Sequence, residues 1–237
     1  MNIKTFMVNF FPFLGPYKRI LKAAFDCFRP AKTYSQHGED LQIYDLLTKN
    51  NLLNGIYMDV GANHPTSISN TYLFYRKGYR GVSIEPNSEL ARLHRWFRRG
   101  DKVIEIGIGN KSGIFEFNIS KTPVLSSFKK IDGPGLWKKE YIPVLKLDDV
   151  TEFAKPERIF LLNVDTEGLN YEVILGASKT LELTDLLCIE VDNEENEALI
   201  SHHLTTKNEF SLIMKLGCNL LFANNKLGKL CKSHRSA

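Results

Sequence analysis

The segment Tyr57-Met58-Asp59-Val60-Gly61-Ala62-Asn63 ends a short apolar run with a carboxylate and a glycine two residues apart. In a parallel α/β sheet such a turn lies at the carboxyl edge, where these folds bind ligands. Gly61 lets a ligand approach the backbone, because no Cβ intervenes. Asp59 suits a cationic ligand such as S-adenosylmethionine, which carries an ammonium and a sulfonium. A pyrophosphate would instead want GxGxxG with bare amides, which argues against a dinucleotide. One βα unit later, Glu85 closes Val82-Ser83-Ile84-Glu85-Pro86-Asn87. An acid at that place can accept both hydroxyls of a ribose.

A second pair of acids follows in Asn163-Val164-Asp165-Thr166-Glu167-Gly168. Two carboxylates at the end of a central strand could serve as a base or hold a divalent metal. Glu167 could equally favour the N-terminus of the next helix. His64, directly after the glycine turn, is a candidate functional histidine. His94 reads as lying among arginines on an exposed helix face, and His202 and His203 sit in a polar segment. Gly107-Ile108-Gly109-Asn110-Lys111-Ser112-Gly113 is not GxGxxG and leads into an alternating stretch. It reads as a hairpin turn whose edge, at Asn110, is placed to touch an adenine. Ser35-Gln36-His37-Gly38-Glu39-Asp40 reads as a capping loop before a helix running to Leu47.

The elements that must position these residues are short apolar strands alternating with helical stretches, the pattern of a parallel α/β sheet. Strands are expected at Ile56–Val60, Val82–Glu85, Val103–Ile108, Ile159–Val164 and Leu186–Val191, with Ile114–Ile119 as an added strand. Helices are expected at Asn70–Lys77, Ser88–Arg99 and Leu169–Leu175. A final helix over Lys207–Leu216 and a strand over Asn219–Ala223 close the domain. Lys121–Lys139, rich in Pro, Gly, Ser and Lys, reads as a long binding loop or lid.

Residues 1–33 form an arm. Its helix Lys18–Arg29 gathers Ile20, Leu21, Ala24, Phe25 and Phe28 on one face, with basic residues elsewhere. The arm is expected to dock on the main domain or to lie on a membrane surface. Thr5–Tyr17 is apolar but too short to span a bilayer, and it lacks a small-residue cleavage site before Lys18 and Arg19. The tail after Asn225 is basic. The four cysteines form no metal-like spacing and point to a reducing, cytoplasmic compartment. A net charge of +4 is too mild to argue for nucleic acid.

Taken together, these motifs resemble the FkbM family of S-adenosylmethionine-dependent methyltransferases. The resemblance rests on Tyr34-Ser35-Gln36-His37-Gly38-Glu39-Asp40, Asp59-Val60-Gly61-Ala62-Asn63-His64-Pro65 and Ser69-Asn70-Thr71. It continues through Gly78-Tyr79-Arg80-Gly81, Ile84-Glu85-Pro86-Asn87 and Asp165-Thr166-Glu167-Gly168-Leu169. It implies a Rossmann-like fold with a mostly parallel seven-stranded sheet, helices on both faces, over residues 34–225. It also implies O-methylation of a hydroxyl on a sugar, a glycan or another small molecule. Carried over, Asp59, Gly61, Asn63 and Glu85 look like cofactor contacts, joined by Asn87 and Asn110. Asp165 looks like an active-site acid, and the residues themselves add Glu167 and His64 as catalytic candidates. Asn170 departs from the family, which usually has an acid there, and no clear strand follows Ala223. A non-catalytic binding protein of the same fold and an NAD-dependent oxidoreductase are the competing readings.

Overall fold

The computed structural model describes residues 18–28, 31–120, 126–129 and 135–227. The chain begins with α1 (Lys18–Phe28), α2 (Glu39–Lys49), β1 (Ile56–Val60), α3 (Tyr72–Arg76), β2 (Gly81–Ile84), α4 (Ser88–Phe97) and β3 (Lys102–Ile104). Next come β4 (Gly107–Ile108), β5 (Gly113–Ser120), β6 (Leu136–Leu145), α5 (Leu147–Ala154) and β7 (Ile159–Val164). The last elements are α6 (Asn170–Leu175), α7 (Ser178–Leu183), β8 (Thr184–Glu190), α8 (Glu194–Lys207), β9 (Phe210–Leu216) and β10 (Asn219–Asn224).

Seven strands form one sheet in the order β3-β2-β1-β7-β8-β10-β9. The pairs β3-β2, β2-β1, β1-β7 and β7-β8 are parallel, and β10 runs antiparallel to both its neighbours. The order reverses around β1 and β7, so the carboxyl ends of these two strands open the crevice where α/β sheets bind ligands. All six residues of β7 are buried, as a strand covered on both faces requires. One face carries Met58, Ile84, Leu162 and Val164, and the other Tyr57, Phe74, Phe160 and Leu186. Each such side chain contributes about 1.5–3 kcal/mol by burial.

The structure corrects several sequence-based expectations. Val103–Ile108 is not one strand: Lys102–Ile104 joins the main sheet, while Gly107–Ile108 enters a second sheet ordered β4-β6-β5. The turn at Asn110–Gly113 therefore closes no simple hairpin, because β6 lies between the strands it connects. The end of the expected long loop, from Leu136 to Lys139, is already β6, whose exposed positions alternate through Trp137, Lys139, Tyr141 and Pro143. Residues 121–125 and 130–134 of that loop lie outside the described residues. Lys207–Leu216 is not a helix: α8 ends at Lys207, and β9 follows. The closing hairpin, missing from the sequence reading, is β9-β10, paired from Asn219↔Leu216 to Asn224↔Phe210.

The arm docks on the domain. Helix α1 lies against α4, with Ala23 fully buried. Thr66 Oγ1 donates to Asp26 Oδ2 at 3.1 Å, and Arg76 Nη1 donates to the Cys27 carbonyl at 2.8 Å. No helix among the described residues is long and apolar enough to cross a membrane. Thr5–Tyr17, the Phe28 side chain, Cys231 and the tail from residue 228 lie outside the described residues.

Candidate active site

Strand β1 ends on a turn that can exist only with glycine at its bend. Gly61 holds φ +77°, and a Cβ there would lie 1.8 Å from the Asp165 carbonyl oxygen. The close approach locks the end of β1 to the end of β7, reinforced by the Asp165 amide donating to the Val60 carbonyl at 2.9 Å. Asn63 follows in a left-handed conformation, φ 49°. Its amide donates to Glu85 Oε2 at 2.7 Å, and the Asn87 amide donates to Glu85 Oε1 at 2.7 Å. Two backbone donors thus fix the Glu85 carboxylate at the end of β2, while each oxygen keeps a lone pair for a further donor. Burial pushes the Glu85 carboxyl up to about 7, against the pull of the two amides.

Asp59 faces inward. Its Oδ1 accepts from Asn163 Nδ2 at 2.9 Å, its Oδ2 accepts from Thr71 Oγ1, and Arg98 Nη1 lies 3.7 Å away. Burial raises the Asp59 carboxyl, opposed by Arg98 and by both hydrogen bonds. The guanidinium of Arg98, itself fully buried, also donates to Asp101 at 2.8 Å and to Tyr57 at 2.9 Å. Asp59 therefore belongs to a polar network that braces the turn from behind, and it also lines the cleft in front.

Two hollows meet above the strand ends and share Gly61, Asn63, Asp165 and Glu167. One is a slot of about 40 Å³ between Glu85, Ile106, Gly107 and the rings of Phe117 and Phe128. The other, about 230 Å³, is walled by Gln36, Ile68, Asn70, Asn163 and Glu190. Asp165 stands between them, and its Oδ1 is buried without a hydrogen-bond partner. Burial drives the Asp165 carboxyl well above its ordinary range, helped by a proton that Asp165 holds toward Glu190 and by the charges of Glu190, Glu167 and Asp59. Glu167, at φ 51°, is pushed up to about 7 by burial and then by Glu190 and Asp192. Among the described residues no three His, Cys, Asp or Glu side chains converge as metal ligands.

The structure places the other candidates differently. His64 turns into its own loop, where Nδ1 accepts from the Thr66 amide at 3.3 Å. Asn87 caps α4, its side chain accepting from the Glu89 amide at 3.0 Å. Asn110 is exposed and outside the lining of both hollows. His94 is buried, not exposed, and its Nε2 meets the Asn63 carbonyl at 3.0 Å. Burial holds its imidazole well below the usual histidine range, in the neutral form. Asn170 takes the place of the usual acid by bridging: Oδ1 accepts from the Thr166 amide at 2.8 Å, and Nδ2 donates to the Glu190 carbonyl at 2.9 Å. Asn163, Asn70, Glu190 and the Phe117–Phe128 pair complete the site. Asn163 left one signal in the sequence, as a polar residue inside an apolar central strand.

A seven-stranded sheet with one antiparallel strand beside its edge, acids at the ends of β1, β2 and β7, and a glycine bend between them make up the Rossmann-like fold of methyltransferases. Residues 59–209 match the Methyltransferase FkbM domain, and the chain belongs to that family. No curated protein matches the sequence. Among solved structures, magnesium protoporphyrin IX methyltransferase from Synechocystis PCC 6803 with bound SAM is similar at 11% identity and TM-score 0.46, covering 94% of this chain and 98% of that one. A methyltransferase from Geobacter sulfurreducens is similar at 14% identity and TM-score 0.46, covering 93% of each chain.

Proposed function

We propose that the protein transfers the methyl group of S-adenosylmethionine to a hydroxyl of a sugar or glycan acceptor, with Asp165 as the base. The observation that carries the reading is the buried, unpartnered Oδ1 of Asp165 at the junction of the two hollows. When bound, S-adenosylmethionine supplies an electrophilic methyl on a cationic sulfur. The residues fit it. Glu85 offers its remaining lone pairs to a ribose diol, and Ile106, Phe117 and Phe128 offer apolar faces to a base.

Methyl transfer is an in-line displacement, so alignment and proton removal are the enzyme's main tasks. The acceptor enters the wider hollow, where Gln36, Asn70 and Asn163 supply the polar side chains that an alcohol-rich ligand needs. Asp165 takes the hydroxyl proton as the oxygen–carbon bond forms, and Glu190 and Glu167 keep its basicity high. The test has two parts. S-adenosylmethionine, and not NAD, should raise the melting temperature of the purified chain. A panel of saccharides should then contain an acceptor that gains a methyl ether. Stabilisation by NAD alone would sink the reading.

A further inference from the structure

We infer that the α1–α4 side of the molecule docks on an anionic lipid surface. Charge is segregated in this chain. Residues 1–33 hold six Lys and Arg against one Asp, and residues 76–102 hold eight against three Asp and Glu. The whole chain carries only +4, so the remainder is acidic. The structure brings the two basic stretches together, because α1 packs against α4.

Among the described residues, α1 meets the domain through one side. Ala23 is buried, whereas Leu21 and Phe25, one turn apart, are 43% and 42% exposed. Beside it, α4 exposes Arg92 and Arg95, with Arg99 following, and Trp96 is 50% exposed with Arg92 over its ring at 5.9 Å. Exposed apolar side chains flanked by arginines and a tryptophan are the composition of an interfacial surface, where the apolar groups enter the acyl boundary and the cations meet anionic headgroups. Continuity supports the same occupant. Residues 1–17, outside the described residues, supply Phe6, Met7, Val8, Phe10, Phe11, Phe13 and Leu14 immediately ahead of α1. A nucleic acid would use the arginines but offers nothing to the aliphatic members of this set, Met7, Val8, Leu14 and Leu21. The contact also lies near the cleft, since Asp26 of α1 holds the loop that carries Ile68.

The test is flotation of the full chain with phosphatidylcholine vesicles, with and without phosphatidylglycerol, at low and raised ionic strength. It needs no turnover. Binding should require phosphatidylglycerol and fall with salt. The exposed pairs Leu21→Ser/Phe25→Ser and Arg92→Glu/Arg99→Glu should each weaken it at least about tenfold while the melting temperature holds. If the charge reversal unfolds the chain, Arg92→Gln/Arg99→Gln serves, with a weakening of about fivefold or more. Failure of the wild type to float, variants that float as well as it does, or binding to single-stranded RNA without binding to vesicles each overturn the proposal.

Discussion

Glu85 accepts the amide of Asn63 at 2.7 Å, and that bond joins the end of β2 to the left-handed turn after β1. The carboxylate is thereby part of the fold and, in the proposed function, part of the ribose site. Glu85→Ala is expected to weaken S-adenosylmethionine binding by about 1–3 kcal/mol, the range for a hydrogen bond to a charged group. Calorimetry on the variant checks this. Unchanged affinity means the ribose is held elsewhere.

Arg98 is the support whose loss should cost most stability. Its guanidinium meets Asp101, Thr71 and Tyr57 at 2.8–2.9 Å, with Asp59 at 3.7 Å, all out of water. Arg98→Met leaves two buried acids without their cation and is expected to destabilise the protein by about 3–5 kcal/mol. Arg98→Lys should rescue little, because an ammonium cannot present the planar fork these partners use. Denaturant unfolding of both variants tests it, and a loss under about 1 kcal/mol for Arg98→Met would mean the network is dispensable.

How far such residues can be read from sequence depends on what burial does to them. Asp59, Glu85 and Asp165 were legible because each ends an apolar strand, and the topology sends every such end to one edge. Arg98 was not, since three of its arginine neighbours, Arg92, Arg95 and Arg99, are exposed. His94 failed for the same reason. Strand β7 was legible with its observed bounds because five of its six residues are apolar, enough for burial on both faces. Strand β6 escaped because Lys138, Lys139 and Glu140 interrupt it and only Val144 is buried, so no apolar face marks it. Helix α8 buries little besides Ile200 and Leu204, so no apolar stripe marked it, and the helix was displaced onto β9. Only long-range pairing with β10 decides that Phe210–Leu216 is extended.

The acids of the site predict a pH dependence. Glu85 and Glu167 have ordinary carboxyls near 4.5 when unfolded and are pushed up to about 7 in the fold. Between those values the folded state holds protons that the unfolded chain has released. Their contribution is therefore present at low pH and is lost as pH rises through about 7. His94 acts oppositely, but only below its unfolded value of 6.5. The ligand-free melting temperature should fall as pH rises from about 4.5 to about 7 and level off beyond. Stabilisation by S-adenosylmethionine should grow over the same interval, since a ribose diol and a cationic sulfur favour charged Glu85. Thermal shifts across that range check both trends, and a flat or rising ligand-free curve contradicts them.

The last prediction separates chemistry from architecture at Asp165. Its amide and carbonyl are structural, the first bonded to Val60 and the second packed under Gly61. Its side chain lines both hollows and makes no bond to the turn, and Oδ1 is buried and unpartnered. Leaving an acceptor in that state is unfavourable by about 1–3 kcal/mol unless a ligand's donor meets it. An acceptor hydroxyl is such a donor, and the raised carboxyl is a stronger base than an exposed aspartate. Asp165→Asn keeps the backbone contacts and the side-chain shape while removing the charge. Affinity for S-adenosylmethionine should stay within about threefold, and the melting temperature should hold or rise, because a buried acid crowded by Glu190 and Glu167 has been neutralised. Turnover on a verified acceptor should drop by roughly 10²–10⁴, the usual contribution of a general base. Near-normal turnover would falsify the catalytic role. A collapse of folding would show instead that the carboxylate serves the turn between β7 and α6.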